Sequence, residues 1–299
     1  MYANLALQEK ISLEVPSMKL TNHRNLPAPI LNAIKADLRG RPPRFGVTTL
    51  IRPARQVALE IRYFDEMEED AMDRVWALFG TAMHKVLELA DDTAIMKEEF
   101  IELAIGGVTV MGRIDRLWAD GADNVLTDYK TTAARSAMYG KMEWEQQLNI
   151  EAAILEEAGV RVDRLEVAAL LRDWNRTEAR AESRYPQTQF VVIPVLKWEH
   201  DAAMKFIADR ISAHRGARDV ELPLCTDAER WARPDKWAVM QPGKVRAKRV
   251  LDTLESAMNW SKDNLKGPHE IVHRPGADVR CEDFCSSAPF CEQFKSSGA

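Results

Sequence analysis

Residues 112–132, GRIDRLWADGADNVLTDYKTT, place two aspartates inside segments that otherwise have the composition of strands. Asp115 and Asp128 are 13 residues apart and flank the turn-forming stretch ADGAD, so their segments are predicted to pair as antiparallel strands. Residues i and i+2 of a strand project to one face, which puts Lys130 beside Asp128. Cross-strand partners lie about 5 Å apart at Cβ, so both carboxylates and the ammonium are predicted to share one site.

Such a site has a specific chemistry. Two neighbouring carboxylates in a partly buried position repel each other unless a cation joins them. Oxygen ligands favour Mg²⁺ or Mn²⁺, so Asp115 and Asp128 are predicted to hold such a cation, with Lys130 orienting an attacking water. The alternative is that Asp128 and Lys130 form a solvated pair on an exposed strand face.

The surrounding sequence predicts an α/β core. KEEFIELAIGGVTVMGRIDRLW (97–118) indicates a β-hairpin that turns at Gly106-Gly107. Helical and alternating periodicities predict helices over 66–90, 142–159, 199–216 and 243–262, and strands over 124–130, 164–174 and 189–198. The order helix, three strands, helix, strand indicates one compact core over about residues 66–174.

Composition limits the classes of protein. With 299 residues, 46% of them hydrophobic, the chain can bury a large core. A formal charge of −5 does not indicate a nucleic-acid binder, although it leaves room for a local basic groove. No apolar run approaches the ~20 residues of a membrane span, and the N-terminal stretch MYANLALQEKISLEVPSMKL is a poor signal peptide. We therefore expect a cytoplasmic protein without a membrane partner.

The four cysteines all lie in the last quarter of the chain: Cys225, Cys281, Cys285 and Cys291. In a reducing compartment this concentration favours a metal or cluster site over disulfides. Zinc sites usually pair their cysteines at C-x2-4-C, which one remote cysteine and an uneven triplet match poorly. The spacing therefore favours a [4Fe–4S] cluster over Zn²⁺, and Zn²⁺ over four free thiols. The site is predicted to be structural.

Three residues near the carboxylates have competing interpretations. His84 stands among apolar residues of a predicted helix, so a buried core histidine competes with a third ligand of the cation. The strand carboxylates favour the ligand. Glu98 and Glu99 begin the first strand and face opposite sides, so at most one of them faces the site. A solvated strand end is the expectation for both.

The motifs resemble those of a known family. G-R-I-D followed by L-T-D-Y-K-T resembles the active-site strands of the PD-(D/E)XK nuclease superfamily, specifically its RecB-like exonuclease branch. The resemblance implies a restriction-endonuclease-like fold, with a mixed central sheet flanked by helices. It also implies metal binding and hydrolysis by Asp115, Asp128 and Lys130, with help from the Tyr129 carbonyl.

Three further segments fit the same branch. GTAMHKVLE resembles its helix motif with a metal-binding histidine, which implies His84 as a ligand. EQQLNIEAAIL resembles its Q-x-x-x-Y motif and implies that Gln147 steadies Lys130, although Glu151 stands where tyrosine is usual. Cys225 with the C-terminal triplet resembles the iron–sulfur staple of several such nucleases, and LPLCTDAERW with CEDFCSSAPFCEQ is most similar to proteins of tailed bacteriophages.

The resemblance implies a DNA exonuclease of phage recombination or DNA processing, located in the host cytoplasm, with a recombination or single-strand-binding protein as a further partner. Its regions are an N-terminal extension (1–45), a nuclease core (46–216) and a C-terminal helical region with the cysteine site (217–299). The rival function is a catalytically silent DNA-end-binding module or an iron–sulfur or zinc interaction module. A complete set of His84, Asp115, Asp128 and Lys130 favours the enzyme.

DNA contacts are less specific. KVRAKR (244–249) is predicted to be helical and Arg135 follows the catalytic strand, so both are candidates for phosphate contacts, although a solvated helix face explains the first equally well. Aromatic residues that can stack on bases are Trp118, Trp144, Trp174 and Tyr139. Packing in the core is the competing explanation for the tryptophans.

Overall fold

The structure is a computed structural model that describes residues 18–38, 40, 43, 45–90, 94–217 and 222–296. Its contacts divide the chain into two units. Unit 1 consists of Met1–Ile51 and Glu60–Arg215, and unit 2 of Arg52–Leu59 and Gly216–Ala299. Most of the N-terminal stretch considered above as a signal peptide lies outside the described residues.

The elements follow in chain order. The first are β1 (Lys19–Thr21), α1 (Ala28–Asp37), α2 (Val47–Leu50), α3 (Ala54–Arg62), β2 (Glu68–Asp70), α4 (Val75–Glu88), β3 (Ala94–Ile105), β4 (Val108–Asp120), β5 (Asp123–Thr132), α5 (Ala134–Tyr139) and α6 (Met142–Glu157). Then come β6 (Arg164–Leu171), α7 (Arg176–Ala181), β7 (Phe190–Val195), α8 (His200–Gly216), α9 (Asp227–Arg230), β8 (Ala232–Arg233), β9 (Lys236–Met240), β10 (Arg249–Leu251), α10 (Leu254–Asn264), β11 (Glu270–Arg274), β12 (Ala277–Asp278), α11 (Val279–Asp283) and α12 (Glu292–Ser296). Short 3₁₀ turns occupy Phe64–Glu66, Ala71–Arg74 and Ala288–Phe290.

The central sheet of unit 1 has five strands in the order β3-β4-β5-β6-β7. All neighbours are antiparallel except β5 and β6, which run parallel. A parallel pair needs a long crossover, and α5 with α6 provides it. The predicted fold class is confirmed: this is a mixed sheet flanked by helices, as in restriction-endonuclease-like proteins.

The β3–β4 hairpin turns at Gly106 and Gly107, as predicted. Their φ angles are +56° and +73°, a region that only glycine enters without steric cost. Two consecutive residues of positive φ form the tight connection that suits the twist of an antiparallel pair. The turn fixes the register of the two strands, and the register decides which side chains of β3 and β4 meet.

Helix α6 holds the core together on one face of the sheet. It packs against β3, β5 and β6 and also against α2. Leu148 and Ile150 are fully buried, and Ile154 is 1% exposed. Burial of each such side chain contributes about 1.5–3 kcal/mol. A helix that is buried on this scale fixes the position of every polar side chain that it carries, including Gln147.

Gly112, which opens the quoted stretch, lies in close contact with Val47. A Cβ atom at position 112 would lie 2.7 Å from Val47 Cγ2, a separation that real Cβ atoms do not show. The glycine therefore lets helix α2 approach strand β4 closely. Gly112 therefore has a packing role three residues before Asp115.

The helix predicted over 66–90 is wrong in its first part, since α4 begins only at Val75. The preceding residues form strand β2, which pairs in parallel with β1, and a 3₁₀ turn. Asp70 accepts hydrogen bonds from the N–H groups of His23 at 2.7 Å and Met72 at 3.0 Å. Partners that are distant in the chain stabilise the extended segment, so its own helical periodicity does not reveal it.

The helix predicted over 243–262 is also wrong in its first part. Residues 249–251 form strand β10, and α10 begins at Leu254 behind Thr253, whose side chain accepts the N–H of Ser256. Gly243, with a φ of +74°, ends any helical path before this segment.

Unit 2 is only partly helical. It contains an antiparallel sheet of order β10-β9-β11 and a two-stranded pair of β12 and β8. The predicted helical region over 217–299 omitted these strands, which are too short to give a clear alternation of apolar residues. Across the residues that the structure describes, no helix has both the length and the apolar character needed to cross a membrane.

Candidate active site

Three acidic residues form a row across three adjacent strands. By the register of β3 with β4, Glu98 falls opposite Asp115; by the register of β4 with β5, Asp115 falls opposite Asp128. Cross-strand neighbours share a face of the sheet. The antiparallel pairing of the two aspartate strands, predicted from the sequence, is therefore confirmed.

His84 reaches this row from helix α4. Its Nδ1 atom lies 3.3 Å from Asp115 Oδ1 and 3.5 Å from Glu98 Oε1. One ligand atom from each of the three residues lies within 4.8 Å of the others, which is a group that can hold a metal ion. The Asp115 carboxylate, as a hydrogen-bond acceptor, raises the pKa of His84, and partial burial opposes this effect.

The two oxygens of Asp115 have different partners. Oδ1 faces His84, while Oδ2 accepts the backbone N–H of Tyr129 at 2.6 Å. The Tyr129 ring in turn stands edge-on to the His84 imidazole, with centroids 6.2 Å apart. Strand β5 therefore orients the carboxylate of β4 toward the histidine. The carbonyl of Tyr129 as a ligand stays a prediction.

Asp128, Lys130 and Gln147 form a second set of contacts beside this group. Asp128 Oδ1 accepts hydrogen bonds from Lys130 Nζ at 2.8 Å and from Gln147 Nε2 at 2.9 Å. Gln147 Oε1 accepts a second hydrogen bond from Lys130 Nζ at 3.1 Å. The expected shared face of Asp128 and Lys130 is thus observed, and helix α6 supplies the amide that holds both.

The other oxygen of Asp128 is the unusual atom of the site. Asp128 is 3% exposed, and its Oδ2 atom is buried without a hydrogen-bond partner among the described residues. Leaving a buried polar group unpaired costs about 1–3 kcal/mol, and more for a charged one. Burial raises the pKa of Asp128, and the positive charge of Lys130 opposes this effect. An oxygen donor of this kind suits a divalent cation.

Lys130 remains an ammonium in this setting. Burial by itself would lower its pKa, but Asp128, together with Asp115 and Glu151, opposes burial, and the pKa of Lys130 is raised above its ordinary value. The side chain is 25% exposed, so the ammonium still reaches solvent. It is therefore a hydrogen-bond donor and a positive charge beside the carboxylates, and not a base.

Comparison with known proteins decides the family. The family model described as the PD-(D/E)XK nuclease superfamily matches residues 41–292, which is most of the chain. The chain belongs to the PD-(D/E)XK nuclease superfamily. Membership implies metal-dependent nuclease activity, with DNA as the substrate and Mg²⁺ or Mn²⁺ as the cofactor. The assignment of Asp128-Tyr129-Lys130 to the D-x-K position of this superfamily stays a prediction.

Other comparisons add little. A matching solved structure, described as the crystal structure of SSO0001, has 17% sequence identity and a TM-score of 0.42. The match covers 61% of this chain and 84% of the other. No curated protein matches the nuclease chain significantly.

Glu98 is the site residue that the sequence analysis missed. The expectation of a solvated strand end is wrong for Glu98, whose side chain is 11% exposed, although Glu99 is exposed as expected. Glu98 has a φ of +52°, an uncommon conformation for glutamate, and its Oε2 lies 2.9 Å from Arg113 Nε. Counting residues back along the hairpin from the two-glycine turn places Glu98 opposite Asp115. The sequence therefore contained enough information to predict Glu98 as a neighbour of Asp115.

Glu151 occupies the position where tyrosine is usual in the Q-x-x-x-Y motif. It is 2% exposed and accepts a hydrogen bond from Gln147 Nε2 at 3.0 Å. Burial, followed by the charge of Asp128, raises the pKa of Glu151 well above its ordinary value. Gln147 thus donates to the carboxyl oxygens of Asp128 and Glu151 with one nitrogen and accepts from Lys130 with its oxygen, so its amide has one favoured orientation.

The four cysteines of the nuclease lie close enough together in unit 2 to influence one another. Burial, followed by the charge of Glu229 and the neighbouring thiols, raises the pKa of Cys225 to about 12. Burial, followed by Cys285 and Asp278, raises the pKa of Cys281 to about 11. The Cys225 N–H donates to Gln293 Oε1 at 2.8 Å, and Gln293 Nε2 donates to the Cys225 carbonyl at 2.9 Å. Cysteine sulfurs are the donors that a thiophilic metal or an iron–sulfur cluster takes as thiolates. Among the described residues, however, the four thiols do not form a group of three donors within 4.8 Å of one another.

The aromatic residues predicted to contact DNA differ in their exposure. Trp144 is 7% exposed and belongs to the core. The indoles of Trp118 and Trp174 donate hydrogen bonds to Thr127 and to the carbonyl of Pro186, so both are part of the packing. Tyr139, on α5, is 77% exposed and free to stack on a base.

The basic segment 244–249 is not helical, in contrast to the prediction. It forms a loop that leads into β10, and the N–H of Lys248 donates to the Val239 carbonyl at 2.8 Å. Its cations therefore do not line one face of a helix. Arg135, the other candidate for a phosphate contact, lies in α5 directly after strand β5.

Proposed function

We propose that the protein is a DNA exonuclease of the RecB-like branch, which hydrolyses phosphodiester bonds from DNA ends. The observation that carries the proposal is the buried, unpartnered Oδ2 atom of Asp128, which lies in a row with two further carboxylates and beside a lysine ammonium. This arrangement leaves an anionic ligand position open at the point where a nuclease of this superfamily needs a cation.

The proposed cation ligands are His84, Asp115, Asp128 and the Tyr129 carbonyl, with Glu98 as an addition. Of these, His84, Glu98 and Asp115 have ligand atoms within 4.8 Å of one another. When bound, a divalent cation supplies positive charge that polarises the scissile phosphate and lowers the pKa of water. Asp115 is oriented for this task by the Tyr129 N–H. Glu98 from β3 and His84 from α4 complete the proposed set of ligands.

Lys130 has a separate role in the proposed mechanism, beside the cation ligands. Its remaining N–H group donates to the attacking water, and its positive charge stabilises the negative charge that develops during attack. Asp128 and Gln147 hold its Nζ atom in place. Because the ammonium is fixed before the substrate arrives, it reorganises little during the reaction.

The four cysteines are proposed to hold a [4Fe–4S] cluster, with Zn²⁺ as the alternative, in a structural role. Support comes from their mutual proximity and from the fit of four sulfur donors to either group. The motif likeness supports a tailed-phage origin and a role in recombination or DNA processing in the host cytoplasm. A recombination or single-strand-binding protein is the proposed partner.

An assay on end-labelled linear DNA and closed circular DNA tests the activity, with Mg²⁺ or Mn²⁺ and with EDTA. We expect metal-dependent degradation of linear DNA and none of circular DNA. Asp128→Ala should abolish cleavage. Asp209→Ala is the matched control, because Asp209 forms a similar 2.6 Å pair with Lys205 that is exposed on α8.

The outcomes separate the possible functions. Cleavage of circular DNA would make the protein an endonuclease. Full activity in Asp128→Ala would remove the proposed site. DNA binding without cleavage under any metal condition would instead identify a catalytically silent end-binding module.

A further inference from the structure

A buried arginine touches the cysteine site of unit 2. Arg55, on α3, is 8% exposed. Its Nε atom donates to Cys291 Sγ at 3.2 Å, and its Nη1 atom donates to the Leu222 carbonyl at 3.0 Å. Among the described residues, the partners of this guanidinium are thus a thiol and a carbonyl oxygen, and neither is a carboxylate. Cys291 is itself 8% exposed, so the contact is shielded from water.

A guanidinium stays protonated in proteins, and a buried charge is costly unless an opposite charge accompanies it. A neutral thiol and a carbonyl oxygen supply dipoles but no charge. A metal–thiolate centre would supply the charge, because four thiolates carry more negative charge than Zn²⁺ or an oxidised [4Fe–4S] core carries positive charge. The buried cation therefore suits the metal-loaded form of the protein.

The residue next to Arg55 makes a second link between α3 and the cysteines. Ser287 is fully buried, and its Oγ atom lies 3.3 Å from Cys285 Sγ and 3.5 Å from the carbonyl oxygen of Gln56. Two consecutive residues of α3 thus contact the segments that carry Cys285 and Cys291. These contacts agree with the grouping of Arg52–Leu59 into unit 2.

We propose that Arg55 is the counter-charge of the four-cysteine centre: its Nε–H group donates to the Cys291 thiolate and stabilises the loaded form. The inference rests on the proposed metal–thiolate centre and extends it to a residue outside the cysteine motif. Hydrogen bonds to ligand sulfurs and nearby charge also set the reduction potential of iron–sulfur centres. Arg55 is accordingly a positioning residue that holds the centre and raises the potential of a cluster.

The test uses the full chain purified anaerobically as wild type, Arg55→Met, Arg55→Lys and the control Arg274→Met, in which an exposed arginine of the same unit is replaced. Four quantities are measured: iron, zinc and acid-labile sulfide content; the rate of metal loss to a chelator; the midpoint potential if iron is present; and the melting temperature of the metal-stripped protein.

We expect Arg55→Met to lose metal about tenfold faster or more, in line with the effect of other residues that contact metal ligands. A cluster in this variant should have a more negative midpoint potential. Arg55→Lys should fall between Arg55→Met and wild type, and Arg274→Met should match wild type. Metal-stripped Arg55→Met should melt no earlier than metal-stripped wild type, because the substitution removes a buried charge that lacks its partner in that form.

The melting temperature separates a counter-charge from a merely structural arginine, whose loss would destabilise the loaded and stripped proteins alike. Equal destabilisation of both forms, or failure of Arg55→Met to fold, would overturn the proposal. So would metal retention and a potential equal to those of wild type. Wild-type protein that contains neither iron nor zinc would overturn the cysteine centre together with the role of Arg55, whereas the nuclease proposal is decided separately by the Asp128→Ala assay.

Discussion

The Lys130 ammonium donates to Asp128 Oδ1 over 2.8 Å, two residues along the same strand, while Asp128 Oδ2 stays buried without a partner among the described residues. The lysine thus donates to one carboxylate oxygen, Oδ1, and leaves Oδ2 without a hydrogen-bond donor. A strand places both side chains on one face at little conformational cost. The Asp128 carboxylate is therefore an anionic ligand whose charge is partly neutralised by Lys130 before any cation binds.

Lys130→Met should reduce metal-dependent DNA cleavage by about 10²-fold or more, because a preorganised donor to the developing charge is lost. The same change leaves the Asp128 carboxylate buried without its cation, so we expect a loss of up to about 3 kcal/mol in the free energy of unfolding without metal. Added Mg²⁺ should restore part of that loss. Cleavage rates and denaturation with and without Mg²⁺ measure both effects.

Lys205→Met is the control for this prediction, since Lys205 pairs with Asp209 on an exposed helix face. An exposed pair of this kind contributes about 0.2–1 kcal/mol or less. If Lys130→Met behaves like Lys205→Met in both assays, the ammonium has no part in catalysis.

Glu98→Gln should weaken binding of Mn²⁺ by about tenfold or more, because a carboxylate in contact with the His84 and Asp115 group loses its charge. Titration calorimetry with Mn²⁺ measures the affinity, and the Mg²⁺ dependence of cleavage should shift in the same direction. Glu99→Gln is the matched control, since Glu99 is the adjacent, exposed residue of β3. Equal affinities in the two variants would exclude Glu98 from the metal group.

Glu151→Gln should stabilise the protein at neutral and alkaline pH. The pKa of Glu151 is raised well above its ordinary value in the folded state, so the folded protein keeps a proton that the unfolded chain releases. Stability is therefore lost as the pH rises from the unfolded pKa toward the folded pKa. The glutamine variant lacks this loss, so its advantage should grow with pH.

Denaturation of wild type, Glu151→Gln and Glu102→Gln at pH 4, 6 and 8 measures this difference. Glu102 is exposed and serves as the control. A constant difference between Glu151→Gln and wild type across this range would show that Glu151 does not bind an extra proton on folding.

Gly112→Ala should destabilise the protein by about 1–3 kcal/mol, because the new methyl group would overlap Val47 Cγ2. Val47→Ala in the same chain should recover much of the loss that is specific to this overlap. Gly80→Ala is the control: no atom lies within 4 Å of its added Cβ, and alanine in helix α4 should stabilise by about 0.5–1 kcal/mol. Additive effects of Gly112→Ala and Val47→Ala in a double-mutant cycle would contradict the overlap.

The sequence predicted the parts of the site that are close together in the chain. Asp115 and Asp128 were placed on paired strands because a short turn joins them, and Lys130 was placed beside Asp128 by the period of a strand. Glu98 belonged to the same hairpin, but its local pattern resembled an exposed strand end. Its positive φ and the approach of His84 from α4 became visible only in the folded chain.

By itself, then, the amino-acid sequence determined the strand hairpin, the shared face of Asp128 and Lys130 and the α/β character of the core, because alternation and turn residues act over a few positions. The restriction-endonuclease-like fold class followed from the resemblance of the motifs. Tertiary structure alone decided the burial of Glu151, the extended β2 segment and the contact of Arg55 with Cys291, 236 positions later. These features depend on which distant segments of the chain pack together and exclude water, and the local periodicity of the sequence does not predict that packing.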